Sequence, residues 1–178
     1  PLDSLGEFEK IFQKISAISE NKIPNIDKKC ITVMCADYGI VEEGISQSGK
    51  EVTLAVTKSM ALGTSSISVL CRSTGSDLMI IDMGIDSFGT DIYSMGVINH
   101  KIMHGTNNFS KEKAMPFDIT LRALLTGIEI VENLKESHVS IIGTGEMGIG
   151  NTTTSSALSA ALLDLSAGDV TGRGAGLN

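Results

Sequence analysis

A chain of 178 residues, 42% of them hydrophobic, is long enough to bury the core of one domain of ordinary size. Its formal net charge of −7, with no local basic cluster, argues against nucleic acid as the main partner. No apolar run approaches the length of a membrane span, so no membrane partner is expected.

In chain order, residues 8–18 have the period of an amphipathic helix. Residues 30–35 (CITVMC) form the first of three short apolar, β-branched runs. Residues 48–51 (SGKE) read as a capping box for a helix with Val52, Val56, Met60, Ile67 and Leu70 on roughly one face, interrupted at Gly63. The second run is 78–83 (LMIIDM). The segment 84–115 is too long and polar for a plain connection; a small strand or hairpin is expected in it, packed on another chain or another part of the protein. A helix over 117–134 has Leu121, Leu125, Ile128 and Val131 in period, the third run is 139–142 (VSII), and a last helix covers 152–163.

The three runs lack strict alternation, as strands buried on both faces of a parallel sheet do. The order predicts an α/β fold: a doubly wound, mostly parallel, Rossmann-like sheet with flanking helices. The chain opens without Met and stops in the glycine-rich GRGAGLN. One α/β domain over 1–178, incomplete at its carboxyl end, is therefore expected, with the helix 8–18 belonging to a small helical subdomain of a longer protein. Cys30, Cys35 and Cys71 are odd in number and scattered, a pattern that suits reduced thiols in a cytoplasm.

Each strand ends in an acid near a glycine: Asp37 before Gly39, Asp82 before Gly84, Glu146 after Gly145. In open α/β sheets the ligand lies outside the carboxyl ends of the strands. The alternative for Asp37 and Asp82 is turn chemistry alone. Gly143, Gly145 and Gly148 have the G-x-G-x-x-G spacing of a dinucleotide fingerprint. That reading needs a second strand ending in an acid about 20 residues further on. A helix and another glycine-rich loop come instead, and Glu146 would repel a pyrophosphate. A loop of small residues before a helix start, flanked by a carboxylate and by Asn151, Thr152 and Thr153, suits a ribose phosphate better. A tight strand–helix turn without ligand is the alternative.

GTGEMGIGNTTTSSAL at 143–158, followed by GRGAGL at 172–177, closely resembles the nicotinate-nucleotide:dimethylbenzimidazole phosphoribosyltransferase family of cobalamin lower-ligand synthesis. SLGEFE at 4–9 is similar to that family's S-L-G-x-L-E, ADYGIVEEGIS at 36–46 to A-D-H-G-V-x-x-E-G-V-S, and EVT at 51–53 to its E-V-T. IDMGI at 81–85, GTN at 105–107 and AMP at 114–116 resemble further segments, so the likeness runs along essentially the whole chain.

The resemblance implies phosphoribosyl transfer from nicotinate mononucleotide to an aromatic base, giving α-ribazole phosphate and nicotinate, with no cofactor and no metal. It implies that Gly145, Glu146, Met147, Gly148, Ile149 and Gly150 line the ribosyl and nicotinate side, with Asn151 and Thr152 at the helix start. Gly172, Arg173 and Gly174 would help hold the phosphate. The family's usual catalytic base is a glutamate in the carboxyl-terminal half, so no residue here takes that role; Glu146 contacts ribose or shapes the site. Asp37, Tyr38, Ser46 and Ala55 fall on the aromatic-base side, where the chain departs from the pattern: Tyr38 replaces a histidine, Ser48 and Gly49 a Tyr-Pro pair, and Ala55 a glutamine. These departures leave the accepted base open and keep a second reading alive, a catalytically silent paralogue that binds nucleotide or scaffolds an active subunit. His100, His104 and His138 lack the grouping of metal ligands. A homodimer is expected because 84–115 has no obvious partner in its own sheet; a heterodimer with a paralogue is the alternative.

Overall fold

The computed structural model describes residues 4–89 and 91–174; the SLGEFE match lies within them, whereas the AGL of GRGAGL lies outside. Three strands follow the apolar runs: β1 (Lys29–Ala36), β2 (Asp77–Gly84) and a later strand, Ile141–Met147. A two-residue strand, β3 (Ile98–Asn99), makes the Ile141–Met147 strand β4. The sheet order is β3-β2-β1-β4, and every pair is parallel. The chain passes from β1 to β2 on one side and later returns to lay β4 on the other side of β1. The order therefore reverses between β1 and β4, which is where an open α/β sheet opens a crevice.

Helices cover both faces. On one, α2 (Glu51–Ala61) and α3 (Ser66–Thr74) bring Met60, Val56 and Ile67 onto Val33, Cys35 and Ile80. On the other, α5 (Phe117–Glu136) sets Ile130 and Leu134 against Cys30 and Ile81. Alternate residues of β1 thus enter two different cores, which is why its sequence is apolar without alternation.

Several expectations change. The segment 51–74 is two helices: Gly63 takes φ +75°, and Ser65 starts α3 by accepting the Ser68 amide at 3.3 Å. The SGKE capping box does not form; α2 begins behind Lys50 without a side-chain cap, and the Ser48 amide turns back to Ser46 Oγ at 3.2 Å. Leu70 faces outward, and Ser68 and Cys71 take the buried positions of α3. Counted as one stretch, Glu51–Thr74 has the length and composition to cross a membrane, at mean hydropathy 1.3, contrary to expectation. It is nonetheless broken at its middle and rests on the sheet.

The periodic residues of α5 also face outward: Leu121, Leu125, Ile128 and Val131 are all about half exposed, and the sheet side is the line through Ile130 and Leu134. Both faces of this helix are apolar, so period alone did not tell which one the sheet covers. The remaining helices are α1 (Glu7–Ile18), the short α4 (Asp91–Ser94), α6 (Asn151–Leu163) and the short α7 (Ala167–Val170).

The segment after β2 does find a partner in its own sheet. Beyond β3, the Ile102 amide donates to Met83 O at 3.1 Å and the Gly105 amide to Gly84 O at 2.9 Å. The basis given above for a homodimer is thereby removed.

Candidate functional site

The first two glycines of the fingerprint lie within β4. Gly143 pairs with Ile31 and Gly145 with Val33. A Cβ on Gly143 would stand 2.4 Å from Ile31 Cδ1, and one on Gly145 would stand 3.2 Å from Val33 Cγ2. Branched side chains of β1 lean over the edge strand, and glycine admits them. These two residues serve sheet packing, and the loop proper begins after Met147.

Of the three acids at the strand ends, two are turned into the protein. Asp37 is 4% exposed; its Oδ2 accepts the Asp86 amide at 2.7 Å, and its own carbonyl accepts the Thr106 amide at 3.0 Å. Burial raises its pKa, and the Asp86 amide and Thr53 hydroxyl pull it back. The folded state therefore keeps the Asp37 proton to higher pH than the unfolded chain, so ionisation of Asp37 takes stability away as pH rises out of the carboxylate range. Asp37→Asn keeps an acceptor without that ionisation. Its stability relative to wild type in urea titrations should be highest at neutral pH and fall as the pH is lowered to about 3. A difference independent of pH would contradict this. Asp82, fully buried, accepts the Ile85 amide at 2.8 Å and the Tyr93 hydroxyl at 2.7 Å. Both aspartates fasten loops, the turn-chemistry alternative.

Glu146 is different. It stays open to solvent on one side, while Tyr38 donates its hydroxyl to Oε1 at 2.8 Å and Asn151 its carboxamide to Oε2. Desolvation by the surrounding protein raises the Glu146 pKa, and the hydrogen bonds from Asn151 and Tyr38 oppose that rise.

Behind it the chain turns through Gly148 and Gly150 into α6. A Cβ on Gly148 would meet the Ala36 carbonyl oxygen at 2.2 Å, so this glycine is required by the protein's own packing before any ligand. The Ile149 amide is held by Thr53 Oγ1 at 3.2 Å, from fully buried Thr53 on α2. Gly150 has φ +93°, a left-handed conformation that glycine adopts freely. The start of α6 has no side-chain cap. Its first residues, Asn151, Thr152 and Thr153, line a cavity of about 480 Å³ shared with Ser46 and with Thr171, Gly172, Arg173 and Gly174. Ser156 Oγ donates to Val170 O at 2.9 Å and ties this second glycine loop to α6. The two glycine loops named from sequence therefore face one cavity, with Glu146 fastened to its rim through Asn151.

The four residues assigned to the aromatic-base side do not share a cavity. Asp37 and Tyr38 border one of about 530 Å³ beside Lys50, Asp86 and His104; Ser46 joins the glycine loops; Ala55 lies on the exposed side of α2. Met147 and Glu146 also border an apolar cleft of about 730 Å³ between β4 and α2. Sequence reasoning missed Thr53 as the support of Ile149 and missed the Tyr38–Glu146 bond. The only signal for that bond is that both residues end strands, which becomes useful once β1 and β4 are known to be neighbours.

Fold and site together define an open parallel α/β protein with a carboxylate and an uncapped helix start at its switch crevice. A phosphoribosyltransferase family model matches residues 1–178. A nicotinate-nucleotide–dimethylbenzimidazole phosphoribosyltransferase from Acetivibrio thermocellus is 45% identical over 178 residues, 100% of this chain and 50% of the relative. One of the same name from Clostridium perfringens is 46% identical, over 100% of this chain and 48% of the relative. The crystal structure of CobT from Thermus thermophilus superposes with a TM-score of 0.94 at 31% identity, covering 100% of this chain and 53% of that one. The chain belongs to the nicotinate-nucleotide–dimethylbenzimidazole phosphoribosyltransferase family and spans about half the length of the curated relatives it matches.

Proposed function

We propose that this chain supplies the ribosyl-phosphate side of an enzyme that moves a phosphoribosyl group from nicotinate mononucleotide to an aromatic base, dimethylbenzimidazole or a relative, in cobalamin biosynthesis. The observation that carries the reading is Glu146 held between Tyr38 and Asn151 beside the uncapped start of α6. A phosphate at the amides of Thr152 and Thr153 gains from the helix start, and a carboxylate at the rim accepts hydrogen bonds from ribose hydroxyls.

In the reaction the bond from C1′ to the pyridinium nitrogen breaks, and its electron pair neutralises the departing nicotinate ring. The unprotonated ring nitrogen of the incoming base bonds to C1′ through its lone pair, and the proton on the other ring nitrogen leaves to restore neutrality. Because the leaving group starts positively charged, no acid is needed to expel it. Glu146, close to the developing positive charge on the ribose, acts by electrostatics and positioning. The proton acceptor is assigned to the half of the relatives' length that this chain does not span. The silent-paralogue reading is not favoured, because relatives of 45% identity along the whole chain carry the enzyme's name.

The domain over 1–178 is proposed to be completed by further chain. Among the described residues α1 buries nothing and leaves Phe8, Ile11, Phe12 and Ile18 exposed, as a helix of an unfinished subdomain would. Homodimer formation remains a proposal supported by the exposed outer stripe of α5. A cytoplasmic setting is supported by three free, buried thiols.

Glu146→Gln, in the protein expressed from its complete reading frame, should weaken nicotinate mononucleotide binding by calorimetry roughly tenfold, the worth of a hydrogen bond to a charged group. Unchanged affinity together with unchanged turnover would refute the role given to Glu146.

A further inference from the structure

Tyr38 is unexplained by the glycine loops and by the phosphate-side cavity. It lies two residues beyond β1, is half-buried, and reaches Glu146 Oε1 at 2.8 Å across 108 positions of sequence. Its ring is held from the side as well. A Cβ on Gly148 would stand 2.5 Å from Tyr38 Cε2, so the loop closes over the ring only because that residue is glycine. Asn151, the first residue of α6, donates to the other carboxylate oxygen. Both oxygens of Glu146 thus have a protein donor, one from the end of β1 and one from α6. Rotation of the carboxylate breaks both bonds at once.

We infer that Tyr38 is a positioning residue for Glu146: with Asn151 it fixes the carboxylate in one orientation and holds it in the charged form that faces the ribosyl group. The inference rests on the reading of Glu146 given above. Each carboxylate oxygen keeps a further lone pair for a ribose hydroxyl, so the clamp orients Glu146 without saturating it.

Tyr38 itself remains a donor, because burial, the charge of Glu146 and the nearby Asp37 and Cys35 push its phenol pKa far up. The groups facing Glu146 are the Tyr38 phenol and Cys35 thiol from β1 and its end, with Asp37 behind Tyr38, and the neutral Asn151 from α6. Among the described residues no lysine, arginine or histidine pairs with it. The two hydrogen bonds are therefore what opposes desolvation. Removing one lets the proton return at higher pH.

The test is kcat/KM for nicotinate mononucleotide against pH, in protein from the complete reading frame, for wild type, Tyr38→Phe, Glu146→Gln and a protein with ortho-fluorotyrosine at position 38. Tyr38→Phe should lower kcat/KM roughly tenfold at neutral pH and move the acidic limb upward. Ortho-fluorotyrosine, a stronger donor of nearly the same shape, should move that limb downward, and it decides the matter if Tyr38→Phe fails to fold. In Glu146→Gln the limb should keep only the part set by the carboxylate base of the unspanned half and should no longer respond to the change at position 38. An acidic limb unmoved by either change at position 38, with Glu146→Gln impaired, overturns the role of Tyr38 alone. An unimpaired Glu146→Gln overturns the underlying reading of Glu146.

Discussion

Asp82→Ala should cost about 3–5 kcal/mol of stability, the usual loss when one member of a buried charge pair is removed. Asp82 is fully buried, and Lys101, with its side chain 13% exposed, stands 3.4 Å from it. Besides that ion pair, the carboxylate is the acceptor for the Ile85 amide at 2.8 Å and the Tyr93 hydroxyl at 2.7 Å. Alanine would leave a buried amide and a partly buried phenol without acceptors, and Lys101 with Ser87 O at 2.7 Å. Burial and then the bond to Asp82 push the Tyr93 phenol pKa up to about 12, so Tyr93 stays a donor to the carboxylate. Asp82→Asn, which keeps an acceptor for Ile85, should cost less. Lys50→Ala, which removes an exposed ion pair with Asp86, should cost under about 1 kcal/mol. Guanidinium titrations of the three variants should rank in that order. An Asp82→Ala cost no larger than that of Lys50→Ala would mean that the segment after β2 is not held as described.

The strands were legible because a strand buried on both faces needs little beyond β-branched apolar residues, and 30–35 and 78–83 have those. β4 was misplaced. The run VSII begins before it, His138 just upstream has φ +60°, and the strand continues to Met147 through two glycines that resemble a loop. The reason for those glycines lies in Ile31 and Val33, more than a hundred residues earlier, and nothing local in the sequence marks it. The same distance hid the Tyr38–Glu146 bond. The two glycine loops that face one cavity were legible, because small residues before a helix start carry their physical meaning locally. The grouping of Asp37, Tyr38, Ser46 and Ala55 depended on resemblance alone; Asp37 and Tyr38 stay together, and tertiary packing puts Ser46 and Ala55 elsewhere.

The 178-residue chain by itself should not convert nicotinate mononucleotide, whereas the protein from the complete reading frame should. Of the three acids at the strand ends, Asp37 and Asp82 fasten loops, and each carboxylate oxygen of Glu146 already accepts a hydrogen bond. None is left free to take the proton from the incoming base. Loss of a general base alone is worth roughly 10²–10⁴ in rate. Positioning should cost more still. Among the described residues β4 is an edge strand, the cleft of about 730 Å³ beside it is open, and Leu158, Leu162 and Leu163 of α6 are exposed. An aromatic base held in so open a crevice samples many orientations, and the near-attack geometry at C1′ is lost. The two proteins are compared at matched concentration with benzimidazole, adenine and phenol as acceptors, following nicotinate release. Weak binding of nicotinate mononucleotide by the short chain would remain compatible with the proposal, because both glycine loops and Glu146 are present in it. Comparable turnover would place the base among residues 1–178, with Glu146 the first candidate, and the clamp formed by Tyr38 and Asn151 would then have to release it during the reaction.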